Sequence, residues 1–205
     1  QAAAKAGRSP ASGAGGAAPW VVTVSDAMGA TMDASRLFEL GFAGGLVIDK
    51  DTRASVEALL NSMPEDLSET DLARLERTLR EGLPKEDAEK AYKLITDYRS
   101  YTKDIRDEMQ PKGIPGNMQE ARTFFDQMEA VKRRHFDEAT ANALFGQADF
   151  YARLSMEAMF VQQDTTLTDE QKKAQLDALR AQLPADQKSL IPQDGPPPAA
   201  SQPAS

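Results

Sequence analysis

Between two polar ends, the chain repeats one pattern: apolar residues three or four apart, set in dense runs of Glu, Lys, Arg and Asp. That period is close to 3.6 and predicts a succession of amphipathic helices rather than strands. Val21 to Val24 fit one short strand, and Gly44-Gly45-Leu46-Val47-Ile48 a turn followed by an extended piece, neither with an obvious hairpin partner. Asp51-Thr52 can cap a helix carrying Val56, Leu59, Leu60 and Met63, which Pro64 ends. Ser68, with Asp71 three residues on, reads as a capping box that opens a helix with Leu72, Leu75, Leu79 and Leu83 on one stripe, closed by Gly82-Leu83-Pro84.

The pattern continues with a long helix over residues 86–108, carrying Ala88, Ala91, Ile95, Tyr98 and Ile105, up to the break Gln110 to Gly116. Asn117 to Arg134 follows with Met118, Ala121, Phe125 and Met128, then Glu138 to Gln162 with an inner face of Leu144, Ala148, Tyr151, Ser155 and Met159. Thr168 caps the last helix, whose stripe is Leu176, Leu179 and Leu183 and whose stop is Pro184. The stripes are thin, so the helices do not all surround one core. Two readings stay open: an open, elongated array that buries its remaining apolar surface on another molecule, or a small bundle plus a polar hairpin.

Composition narrows the function classes. The 205 residues include no cysteine, which removes disulfides, thiol nucleophiles and cysteine-ligated metals. A net charge of −8 opposes a polyanionic partner, so nucleic acid is disfavoured. Residues 1–19 and 192–205 hold little beyond Ala, Gly, Pro, Ser and Gln, and read as a disordered linker and a disordered tail. No apolar run reaches membrane-spanning length, and the linker at the start points to a segment removed upstream.

Chemistry-bearing motifs are scarce. His135 and Glu138 share a helical i,i+3 spacing but lack further ligands, so a surface or capping histidine is the better reading and no metal is expected. Gly44-Gly45 reads as a turn, since no phosphate-binding glycine pattern follows. Lys132-Arg133-Arg134 reads as a solvated helix end carrying cations near the C-terminal dipole, with an acidic partner patch as the alternative. Met156, Met159 and Phe160 fit either core or an adaptable contact surface. No set of residues assembles nucleophile, base and oxyanion donors, so the chain reads as a binder without catalytic residues or cofactor rather than an enzyme.

Several of these stretches share an order with a known family. Leu144-Phe145-Gly146, Tyr151, the run Leu167 to Lys172 and the run Leu176 to Pro184 resemble the C-terminal part of the bacterial lipase-specific foldases, or lipase chaperones. Leu83-Pro84 with Ala91, Leu94, Tyr98 and Tyr101 fits the same family upstream. The family's diagnostic motif is an arginine, then phenylalanine-aspartate, an aromatic pair and Leu-Ser-Ala-x-Gly-Glu. It aligns here with Arg53, Val56, Glu57, Ala58, Leu59, Leu60, Asn61, Ser62, Pro64 and Glu65. Arg53, Leu60 and Glu65 are kept, whereas Val56, Glu57, Ala58 and Pro64 depart from the pattern, so the contact made there differs from that of a typical member.

The resemblance covers about residues 21–190 and implies an all-α, extended, multi-helix clamp. Its parts would be a first small helical domain (20–84), an extended helical scaffold (85–137) and a second small helical domain (138–191). It further implies a periplasmic steric chaperone, held in the inner membrane by an N-terminal anchor absent from this chain. Such a chaperone binds one secreted hydrolase, a lipase or a protease, one to one, before type II secretion. The alternative is an adaptor that links a secreted client to the secretion machinery without changing its folding. Arg53, Val56, Glu57, Leu60 and Glu65 would contact the client or fix the first domain, with Arg53–Glu57 equally readable as an intrahelical ion pair. Phe145, Tyr151, Met156, Met159 and Phe160 form the second candidate surface.

Overall fold

A computed structural model describes residues 21–22, 32–33, 38–41 and 44–191; the expected linker (1–19) and tail (192–205) lie outside the described residues. Two short antiparallel pairs come first. β1 (Val21–Val22) pairs with β2 (Met32–Asp33), and β3 (Glu39–Leu40) with β4 (Leu46–Val47). Both strands expected to stand alone therefore have partners. Pairs only two residues long leave no alternation for sequence to reveal. Gly44 and Gly45 adopt φ of 87° and 97°, a region that glycine enters without a Cβ clash, and turn the chain into β4.

The rest is helical: α1 (Lys50–Asn61), α2 (Glu69–Gly82), α3 (Lys85–Glu108), α4 (Met118–His135), α5 (Glu138–Gln163) and α6 (Asp169–Ala181). Two 3-10 turns, Gln110–Lys112 and Ala185–Leu190, follow α3 and α6. The capping boxes at Ser68 and Thr168 form as their spacing predicts. At α1 the cap lies two residues earlier than expected. Asp49, not Asp51, accepts the backbone N–H groups of Asp51 and Thr52, while buried Thr52 closes the box and donates to the Val47 carbonyl. The extended φ of −150° at Asp49 is what a cap requires and what Asp51, already helical, cannot offer.

α2 packs on α3, α3 on α4, α4 on α5, α5 on α1 and α6. Apolar side chains gather in two clusters. The larger joins Phe38, α1, α2, most of α3, Val131 and Phe136, and ends on Ala141, Leu144 and Phe145 of α5. It thus draws on residues from both sides of positions 84 and 137. The smaller joins Leu154, Ala158 and Val161 of the same helix to Leu176, Leu179, Leu183 and Ile191. The buried face of α5 differs from the expected one: Ala148, Ser155 and Met159 are exposed, and Leu154, Ala158 and Val161 are buried instead. Apolar residues lie on every side of α5, so spacing alone does not fix its phase. Likewise on α4 Ala121 and Val131 are buried, while Met118, Phe125 and Met128 are half-buried. Among the described residues no helix is long and apolar enough to cross a membrane.

Candidate client-binding groove

The first two turns of α1 and the middle of α5 lie side by side and leave a groove of about 450 Å³ between them. Lys50, Arg53, Ala54 and Glu57 line one side, Ala143, Leu144, Gln147, Ala148 and Tyr151 the other, and Gln187 of the second 3-10 turn borders it. Helical spacing explains the α1 wall: residues 50, 53, 54 and 57 stand on one face, while Val56 and Leu59, a third to half a turn away, point into the larger cluster.

Arg53 and Glu57 do form the intrahelical ion pair that their spacing allows, Nε to Oε1 at 2.8 Å, yet the pair does more than span a turn. The same Glu57 oxygen accepts the hydroxyl of Tyr98 on α3, and the Arg53 guanidinium lies 4.9 Å from the centre of the Phe145 ring on α5. Three helices meet through four side chains. Burial alone would push the Glu57 carboxyl up, but the Tyr98 hydroxyl and the Arg53 guanidinium together hold it below its ordinary value. Burial, reinforced by the bond to Glu57, raises the Tyr98 phenol well above its usual range. Burial also takes the phenol of Tyr101 up to about 12.

Beneath the groove Phe145, Tyr98, Tyr101 and Phe136 form an aromatic cluster, with Tyr98 stacked on Phe145 at 5.8 Å and Tyr101 tilted against it at 5.1 Å. Lys132 approaches the same Phe145 ring at 5.0 Å and pairs with Asp149. Its expected role as part of a solvated helix end is thereby corrected. The last turn of α4 is covered by α5, so Lys132 is buried (3% exposed) and needs Asp149 to compensate its charge. Arg133 and Arg134 stay exposed, paired with Glu129 and Glu108, and His135 reaches Asp104 at 2.7 Å through Nε2.

The two surfaces expected from sequence meet in part. Arg53, Glu57 and Tyr151 share the groove. Val56 and Phe145, 0% and 2% exposed, offer no surface in this structure; a side chain enclosed by its own core supports the site from below. Leu60 is half-buried against the larger cluster, and exposed Glu65 pairs with Arg106 while its carbonyl accepts from Arg99. Met156 lines a separate cavity of about 330 Å³ between α4 and α5, with Phe125 and Arg153. Met159 is exposed and Phe160 half-buried, outside both cavities and both clusters. Lys50, Leu144 and Gln187 were missing from the expected site, as was Tyr98, whose partner lies 41 residues away with no sequence signal linking the two. The groove offers hydrogen bonds, charge and an apolar floor, which suits binding. Among the described residues no cluster of three or more His, Cys, Asp or Glu could hold a metal ion.

Comparison with known proteins gives the chain its relatives. The family model described as Proteobacterial lipase chaperone protein matches residues 94–200, from the middle of α3 onward, and leaves the Arg53 to Glu65 segment outside the match. The lipase chaperone of Ectopseudomonas mendocina is 28% identical over 179 residues, which is 87% of this chain and 53% of the relative. That of Stutzerimonas stutzeri (strain A1501) is 28% identical over 176 residues, 86% and 52% of the two chains. That of Acinetobacter baylyi is 26% identical over 156 residues, 76% and 45%. The chain spans about half the length of these curated relatives.

Proposed function

The chain belongs to the proteobacterial lipase chaperone family, and from that premise we propose that it is a steric foldase: a protein that binds a secreted hydrolase, first of all a lipase, and helps it to its active fold without bond chemistry. The observation that carries the reading is the alignment of 87% of the chain with a protein named for that activity. The physics is differential binding. A chaperone accelerates folding only through contacts that are stronger in the barrier state or the product than in the stalled intermediate. The groove between α1 and α5 supports the reading, because it presents a fixed cation, an apolar floor and hydrogen-bonding groups on helices whose own packing holds them still. Arg53, Glu57 and Tyr151 form the contact itself, and Val56, Leu60 and Phe145 support it from the core; Glu65 beyond α1 and Met156, Met159 and Phe160 farther along α5 are separate points of client contact.

The same proposal includes a one-to-one complex, a periplasmic site of action, an anchor in the inner membrane through a segment N-terminal to this chain, and release of the client to type II secretion. A protease remains the second class of client, because the motif is altered at Val56, Glu57, Ala58 and Pro64, and the last three of these reach the surface. Co-expression with secreted lipases and proteases encoded next to this protein tests the reading. A foldase raises the yield of active client, an adaptor only co-purifies with it, and no gain with any of them rejects the proposal.

A further inference from the structure

We propose that the groove between α1 and α5 is a carboxylate-binding pocket whose occupant is an Asp or Glu side chain on an extended segment of the client protein; the identity of that partner rests on the foldase reading above. The chain as a whole carries −8, which disfavours acidic partners at long range. The groove runs against that background: Lys50 and Arg53 line it against Glu57 alone. The charge of Glu57 is already engaged, since one of its oxygens accepts from both Arg53 and the Tyr98 hydroxyl.

The bond from Arg53 to Glu57 runs through Nε. It orients the guanidinium, which also feels the Tyr98 hydroxyl, and keeps the two terminal nitrogens out of the Glu57 bond; it is such a fork that grips a carboxylate through two parallel hydrogen bonds. Phe145, 4.9 Å below, holds the plane of the group, so little rotamer freedom remains to be lost on binding. The Arg53 side chain keeps 32% of its surface accessible. Tyr151 accepts the Gln147 amide at 3.2 Å, which leaves its own O–H to donate, and Leu144, Ala54 and Ala148 offer an apolar surface for a methylene stem.

A second observation points the same way. Gln187 borders the groove, and its Oε1 is turned away from solvent with no hydrogen-bond partner among the described residues, so a rotation of the side chain toward the groove is needed before an occupant can reach it. A buried acceptor without a donor is costly, and an occupant that brings an N–H removes the cost. An acidic residue in an extended segment brings both groups at once, a carboxylate for the Arg53 fork and a backbone N–H for Gln187.

The test is a pair of titrations of the full chain followed by side-chain NMR, with the capped peptides acetyl-Ala-Glu-Leu-Ala-amide and acetyl-Ala-Gln-Leu-Ala-amide as probes. The Glu peptide should shift the Arg53 Nε–H and Tyr151 ring signals saturably and bind at least about fivefold more tightly than the Gln peptide. Lys50→Gln should narrow that preference, and salt at about 0.5 M should erase it. Equal binding of both peptides, shifts confined to other residues, or no saturable shift would overturn the proposal. So would binding that emerges only after deletion of residues 192–205, since the occupant would then be the chain's own Asp194. A parallel refolding assay separates the two readings. Binding of the Glu peptide here by a chain that raises no client's active yield rejects the foldase reading alone; a raised yield with no carboxylate preference rejects the pocket alone.

Discussion

The larger and the smaller apolar cluster share one helix, α5, and settle their polar groups in different ways. Among the described residues the larger holds eighteen buried side chains, with Tyr98, Tyr101, Phe136 and Phe145 at its centre and charged groups fitted against the aromatic rings. The smaller holds seven, all aliphatic, with Tyr151 and Leu167 half-buried at its edge. Its polar closure is local: Arg180 donates from Nε to the Ile191 carbonyl at 2.8 Å and pairs with Asp177. The difference teaches where rigidity is needed. The groove stands on the cluster that is cross-braced by long-range contacts, whereas residues 154–191 are held by helix caps and a handful of side chains, the kind of unit that opens first by local unfolding.

The sharpest way to break this comparison is Phe145→Ala. The ring carries both cations and three aromatic neighbours, so its loss should cost about 3–5 kcal/mol and lower the melting temperature of the whole chain. A loss confined to residues 154–191 would contradict the cross-braced view. Leu176→Ala removes one of seven side chains and should cost about 2–5 kcal/mol within the smaller cluster. Hydrogen exchange should then quicken in α6 and the last turns of α5 and leave α1 and α3 unchanged. Thr168→Ala breaks the capping box of α6, worth about 1 kcal/mol, with its effect on exchange limited to the same segment.

Two finer changes sharpen the contrast. Glu57→Gln should cost no more than about 1 kcal/mol near neutral pH, because the ion pair is partly exposed. The folded-state carboxyl titrates below its ordinary 4.5, so the stability it adds is present above that value and is lost as pH falls through the depressed one. Melting curves of the wild type and variant should therefore converge in acid; a gap that widens there would contradict the network. Gly146→Ala should raise stability by about 0.5–1 kcal/mol, since a Cβ there meets only Asn142 atoms at an ordinary 3.8 Å and glycine weakens a helix interior. A destabilised variant would mean that α5 is bent at this point in the working protein.

Much of the helical frame was legible because it rests on local rules. The boxes at Ser68 and Thr168, the stop at Pro84 and the stripes of α2 and α6 depend on residues within one turn of each other. What spacing could not give is the phase of a helix that is apolar all round, which is why the inner face of α5 was misdrawn while Leu144 was found. The candidate groove was legible in outline. Arg53 stood out by the family pattern and Glu57 by its spacing four residues on, but their attachment to Tyr98 and Phe145 arises from contacts across three helices. The burial of Lys132 is invisible for the same reason: a cation at a helix end looks solvated until the next helix is laid over it.

The most direct measurement is the refolding of a chemically unfolded secreted lipase from the same organism, with and without an equimolar amount of the chain. The account predicts that the recovered hydrolytic activity rises several-fold with the chain present and that a one-to-one complex elutes from gel filtration. Recovery that is the same in both samples, with no complex, would contradict it.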